Sequence, residues 1–387
     1  MLRYITAGES HGRALIAVVA GMPAGLTVHV EDVNRELARR QLGYGRGGRM
    51  KIEKDTAEIL SGVRFGKTIG SPVAVMIENR DWQNWTGRMS VEEAEGEVEK
   101  VTQPRPGHAD LSGVLKTDQD DVRNILERTS ARETAARVTA GALAKVLLKE
   151  FGIQVVSQVT AIGGVVADTE FVAKPGDTEA IDASPVRTLD HNAEASMMAI
   201  IDEAVERKDT LGGTFEVLVY GCPPGLGGYA TWEDRLDGKI ARAVMSIQAM
   251  KGVEIGEGFG LAFKPGSEAH DEIFYNESRG YYRETNRAGG LEGGMTNGEP
   301  VVIRAAMKPI PTLMQPLRSI DIATKQPVEA VKERSDVCAV PAAAIVAEAV
   351  VAVEFAAALL EKFGNDAFDD IKAAFKHYIE RLQGWHG

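Results

Sequence analysis

The stretch AVPAAAIVAEAVVAVEFAAALL, residues 339–360, constrains this chain more than any other. It is long and apolar enough to suggest a membrane span, but Glu348 and Glu354 interrupt it and alanine dominates it. A buried core helix is the better reading. Pro341 falls near its first turn, where proline is tolerated. With 387 residues, 44% of them hydrophobic, the chain has ample material for a core around such a helix.

Helices and strands do not alternate one for one along the rest of the chain. Residues 13–20 and 72–78 read as strands, and EDVNRELARRQLG as a helix with acids early, Arg39 and Arg40 late, and Gly43 as its stop. Ser90 and Glu93 stand in capping-box spacing at the head of SVEEAEGEVEKV, which predicts a helix there. A long Ala-rich helix is expected over residues 132–150, strands over 153–166 and 212–221, and helices over 194–207 and 237–250. A strand at PVVIRAAMKP and a last helix over roughly 366–383 complete the pattern. It predicts an α+β fold with antiparallel sheets and not a doubly wound parallel sheet. No stretch reads as a linker, so residues 1–387 are taken as one domain.

A net charge of −12 makes the chain a poor general binder of nucleic acid or anionic membrane. Cys222 and Cys338 lie far apart and in no metal-ligand pattern, which points to a reducing compartment and buried structural thiols. Met1 leads straight into LRYITAG without a basic and then apolar segment, so the expected location is cytoplasmic.

Several stretches carry chemistry. TAGESHGRAL places Ser10 and His11 on a glycine-flanked turn, where the backbone bends sharply and a ligand approaches closely. RRQLGYGRGGRM sets Arg39, Arg40, Arg46 and Arg49 within eleven residues, and arginine forks suit phosphate and carboxylate. QPRPGHADLSG stiffens Arg105 between Pro104 and Pro106 and puts His108 after Gly107, with Asp110 placed to orient the ring. RTSARETAARV surrounds a helix N-terminus with Arg128, Arg132 and Arg137, Ser130 serving as N-cap and Glu133 completing a capping box. MKPIPTL ends a strand in two prolines, and KERSDVCAVPAAA sets Arg334, Ser335 and Asp336 before another helix. Capping alone also accounts for Ser130, Ser335 or Asp336.

Two decoys fail on context. Gly43, Gly45 and Gly48 match a dinucleotide fingerprint but follow a helix end, and GVRFGKT is one residue short of a P-loop. Taken together, the two loop histidines, the arginines and the helix N-termini predict a polyanionic small ligand and proton transfer.

The ordered set GESHG, GYGRGGRM, RPGHADL, RTSARETAARV, MKGVEIG, KPIPT and ERSDVCAVPAA closely resembles the chorismate synthase family, from residue 6 to about 360. The resemblance implies a single-domain β-α-β sandwich of antiparallel sheets with central helices, assembled as a homotetramer. It implies conversion of 5-enolpyruvylshikimate 3-phosphate into chorismate by 1,4-anti elimination of phosphate, with reduced FMN and no net redox change. Arg40, Arg46, Arg49 and Arg132 would hold the anions. His11 would protonate the leaving phosphate and His108 the reduced flavin. Asp336 would relay the C6 proton, with Ser10 and Ser130 as links. FMN would lie along Arg128, Thr129 and Ser130, Gln248 and Ala249, Gly293, the run Lys308, Pro309, Ile310, Pro311 and Thr312, and Arg334. NADPH enters only as the source of reducing equivalents. The chain has no obvious reductase domain, which favours the monofunctional kind served by a separate flavin reductase. Two readings compete: an oxidoreductase with net redox turnover, and a non-catalytic sensor of a phosphorylated metabolite, which leaves the two constrained histidines without a purpose.

Overall fold

Two antiparallel sheets enclose a layer of helices in the structure, a computed structural model that describes residues 2–47, 54–94, 96–332 and 335–385. The first sheet holds β1 (Arg3–Ala7), β2 (Ala14–Ala20), β3 (Ala57–Ser61) and β4 (Val73–Glu78) in the order β1-β2-β4-β3. The second holds β5 (Gln154–Ile162), β6 (Val165–Val166), β7 (Gly213–Tyr220), β8 (Met250–Ile255) and β9 (Val301–Met307) in the order β8-β9-β7-β5-β6. Alternation decides which face of the first sheet turns inward: Leu15, Ala17 and Val19 of β2 and Val73, Val75 and Ile77 of β4 are buried. In the second sheet Phe215, Val217 and Val219 pack beside Val301, Ile303 and Ala305.

The principal helices are α1 (Val30–Gln41), α2 (Asp110–Thr117), α3 (Arg123–Thr129), α4 (Thr134–Lys149), α5 (His191–Arg207), α6 (Leu236–Met245), α7 (Val340–Phe363) and α8 (Phe368–Gln383). Helix α7 is the apolar stretch, and it is a core helix. It packs on β5 and β7, while α4 packs on β1, β2 and β4, and the two helices meet in the middle. Small residues permit that meeting. A Cβ at Gly141 of α4 would stand 2.3 Å from the Cα of Ala349 in α7, closer than any real contact. The main core runs from Leu2 to Ile371 and includes both cysteines.

Glu348, fully buried on α7, is paired rather than stranded. Its carboxylate accepts from Arg39 at 2.8 and 3.2 Å, from Ser157 at 2.6 Å, and from Lys145. Arg187 lies 3.5 Å away. Glu36 pairs with Arg39 and Lys145, and Asp182 with Arg39 and Arg187. Three cations therefore face three carboxylates, a neutral set that fastens α1, α4, α7 and β5 together. Arg39, expected among the loop cations, is spent here.

Two expected helices differ. Residues 90–101 contain no helix among those described; the Ser90 hydroxyl accepts only from the Glu92 amide, at 3.1 Å. The segment is crowded with glutamates, and Val91 is 98% exposed, so it has no apolar stripe to bury. The helix expected over 237–250 ends at Met245, because Ala249 takes a left-handed φ of 66° and the chain enters β8 at Met250.

Candidate active site

A cavity of about 1000 Å³ opens where the first sheet, the start of α4 and the N-terminus of α7 converge. The β1–β2 turn supplies Ser10 and His11. Gly8 makes the turn possible: its φ is 96°, and a Cβ there would stand 2.2 Å from the Ala14 carbonyl oxygen. Asn79, just after β4, clamps the turn by donating to the carbonyls of Glu9 at 3.1 Å and Gly12 at 2.7 Å.

The α3–α4 junction forms the facing wall. The Ser10 amide donates to the Glu127 carbonyl at 2.9 Å, and the Ser130 and Ser10 hydroxyls are 3.2 Å apart. Arg128 reaches back to the carbonyls of Gly8 and Thr6 at 3.0 and 2.8 Å. His11 Nδ1 lies 2.9 and 3.0 Å from the two Glu127 carboxylate oxygens, and its ring stacks on Trp85 with centroids 3.8 Å apart. Burial pushes the Glu127 carboxyl up, but His11, backed by Arg123, brings it below its ordinary value.

The second histidine sits on the same cavity. His108 Nδ1 is 2.5 Å from Asp110 Oδ1, and Arg105 donates from Nε to Asp110 Oδ2 at 2.9 Å. Burial alone would raise Asp110; His108 and Arg105 hold it well below the carboxylate range. Arg105 also reaches Thr312 at 2.9 Å, and Lys308 Nζ donates to the Gly107 carbonyl at 2.5 Å, so RPGHAD and KPIPT form one wall.

Arg40 and Arg46 line the cavity beside Asp336. Arg40 donates to Thr134 and to the Ala131 carbonyl. Burial, opposed by Asp55 and reinforced by Arg132 and Arg46, brings its guanidinium down to about 10. Arg46 pairs with Asp336 at 3.2 Å, whose other oxygen accepts the Gly47 amide at 2.6 Å. Among the lining residues Arg40, Arg46, Arg105, Arg128, Arg137 and Lys308 outnumber Asp81, Glu133 and Asp336. The acidic chain has concentrated cations where an anion can enter.

The structure thus gathers His11, His108, Ser10, Ser130, Arg40, Arg46, Asp336, Arg128, Thr129, Gln248, Ala249, Lys308, Ile310, Pro311 and Thr312 around one space. Pro309 lies between two lining residues but is not itself one. Arg132 is not on the cavity wall: it donates to Asp55 at 2.6 Å and to Asn79 at 3.1 and 3.0 Å, bracing the residue that clamps the His11 turn. Gly293 sits in the turn between the strands Leu291–Glu292 and Met295–Thr296, away from the lining. Arg49 and Arg334 lie outside the described residues. Ser130 caps the short 3-10 turn Ala131–Glu133 that leads into α4 and not α4 itself, accepting the Arg132 amide at 3.3 Å, and the Glu133 carboxylate goes to Arg137, Thr6 and Gln248 and not back to complete a box.

Residues 2–360 match the chorismate synthase family. The chain belongs to that family. A chorismate synthase of Syntrophotalea carbinolica is 58% identical over 383 residues and covers 99% of both chains; one of Geobacter sulfurreducens is 56% identical over 393 residues and all of both. A chorismate synthase crystal structure superposes with a TM-score of 0.81 at 44% identity over 99% of each chain. The α+β sandwich is accordingly the chorismate synthase fold, and the activity is that of a lyase, removing phosphate from 5-enolpyruvylshikimate 3-phosphate to give chorismate in the shikimate pathway to aromatic amino acids.

Sequence reasoning passed over Asp81, Trp85 and Glu127. The signal for the first two was available: DWQNW holds two of the chain's four tryptophans within four residues. Glu127 had none, because only folding brings it to His11.

Proposed function

We propose that the cavity holds the substrate beside reduced FMN and that His11 and His108 move the protons of a 1,4-anti elimination. The observation that carries the reading is the convergence of both histidines, each tied at Nδ1 to a buried carboxylate, with a surplus of cations on one cavity. Substrate phosphate and carboxylates fit Arg40 and Arg46, with Arg49, three residues on in the sequence, as a further cation. His11 gives its Nε2 proton to the leaving phosphate. Asp336, anchored to Arg46 here, takes part in the C6 proton's path, and the Ser10–Ser130 contact supplies a hydroxyl link.

The residues fit a flavin. Gln248 Oε1 is buried without a hydrogen-bond partner, an acceptor suited to a ring N–H. Arg128, Thr129, Ser130, Ala249 and the Lys308–Thr312 segment would hold the group, with Arg334 and Gly293, which is not among the lining residues, as further contacts. Bound reduced FMN would supply electron density to the substrate's allylic system and end the cycle reduced. His108 keeps a proton on Nδ1 toward Asp110 and exchanges protons at Nε2. NADPH serves only to reduce the flavin, through a separate reductase. A cytoplasmic homotetramer of one-domain subunits completes the proposal; the continuous core supports the single domain. His11→Ala and His108→Ala are expected to lower kcat by about 10²–10⁴-fold while the protein stays folded. Near-full turnover in either variant refutes that histidine's role.

A further inference from the structure

His11 is gripped along one ring edge and across one ring face by residues that the proposed chemistry has not used. We propose that Glu127 and Trp85 are positioning residues for His11: the carboxylate keeps a hydrogen on Nδ1 and the indole fixes the ring plane, so that proton exchange with the cavity runs through Nε2. This rests on reading His11 as the acid for the leaving phosphate.

The geometry is one-sided. Both Glu127 oxygens stand within 3.0 Å of Nδ1, and Oε2 also accepts the His11 backbone amide at 2.8 Å. An ionised carboxylate only accepts, so Nδ1 must donate. Arg123, one helical turn before Glu127, fixes the carboxylate by donating to Oε1 at 3.0 Å. Glu127 is itself 2% exposed, so water competes little for these contacts. Trp85 stacks at 3.8 Å and 24° to the imidazole, and Asp81 fixes the indole by accepting from Nε1 at 2.9 Å. Arg123 and Arg88 lie over the indole at 5.2 and 5.7 Å. Among the described residues, the charged groups around the ring and its stacked indole include Glu127 and Arg123 on α3 and Asp81 and Arg88 on the segment after β4.

In the proton step the Nε2–H bond breaks and a phosphate O–H bond forms. The imidazolium becomes neutral with its remaining hydrogen on Nδ1, and Glu127 stays ionised. Without the carboxylate, the neutral ring divides between two tautomers, and the one with hydrogen on Nε2 cannot be recharged there. Orienting carboxylates of this type, behind metal-bound histidines, typically carry about 10–100-fold in activity.

The test combines nitrogen-15 histidine NMR with steady-state kinetics across pH on the full-length protein with reduced FMN and substrate. The His11 signal, assigned by its loss in H11A, is expected to show the Nδ1–H tautomer when neutral, and E127Q to lose that preference. E127Q lowers kcat by about 10–100-fold with little change in KM and displaces the kcat–pH profile, while E127D restores part of both. W85F restores what W85A loses. The double variant H11A/E127Q is no slower than H11A, since one residue acts through the other. An Nε2–H tautomer in the unmodified protein overturns the proposal, whether or not E127Q folds. So does an E127Q loss that multiplies the H11A loss. If H11A itself keeps full turnover, the acid role of His11 fails instead, and the tautomer spectrum still decides whether Glu127 sets the ring.

Discussion

Replacing Glu348 with glutamine removes one carboxylate from a buried set of three cations and three anions. Arg39, Lys145 and Arg187 then face only Glu36 and Asp182, leaving one positive charge uncompensated in the layer between the sheets. Breaking a buried pair in this way costs about 3–5 kcal/mol, because the partner charge stays desolvated. At roughly 2 cal/mol/K per residue over 387 residues, that lowers Tm by about 4–6 °C. Circular-dichroism melts of E348Q at pH 7 measure it. E354Q on the same helix is the control: among the described residues Glu354 is paired only with exposed Arg242 at 3.7 Å, so its loss is expected to cost under about 1 kcal/mol. The pH dependence gives a second reading. Burial would push the Glu348 carboxyl up, but Arg39, Lys145 and Arg187 hold it well below the ordinary value of 4.5. A depressed native pKa means the carboxylate stabilises fully above about pH 4.5 and loses that contribution as the pH falls. E348Q should flatten the acid side of the stability curve. A melt indistinguishable from the E354Q control, or an unchanged acid limb, refutes the reasoning.

Gly141→Ala should destabilise by about 1–3 kcal/mol through overpacking against Ala349, reversing the gain of up to about 1 kcal/mol that the change brings to an open helix; a raised Tm contradicts the close α4–α7 contact. Arg46→Ala should raise KM for 5-enolpyruvylshikimate 3-phosphate by about 10- to 100-fold, the size of one lost charge-assisted hydrogen bond. A fall in kcat with KM unchanged would move Arg46 from binding to chemistry.

The layers were legible because their signals are local and periodic. Alternation in β2 and β4, and the long apolar run of α7, survive into the fold unaltered. The helix expected at residues 90–101 failed because capping residues mark where a helix can start, while an apolar face decides whether it holds. Partnerships across the chain were not legible. Arg39 and Arg40 are adjacent in sequence and on one helix, yet Arg39 turns to Glu348 in the core and Arg40 to the cavity. Arg132 likewise belongs to a motif whose neighbours line the cavity, but its guanidinium supports Asn79 behind the wall. Glu127 and Asp110 differ in the same sense. Asp110 stands two residues from His108, so its orienting role could be read from spacing, whereas Glu127 is 116 residues from His11.

The central claim is that this cavity carries out one elimination without net redox change. Purified protein mixed anaerobically with 5-enolpyruvylshikimate 3-phosphate and chemically reduced FMN tests it directly, with phosphate and chorismate followed together. Equal release of both, with the flavin still reduced at the end, is the expected result. Binding of FMN and substrate without release of either product would contradict it, leaving the cavity as a binding site only.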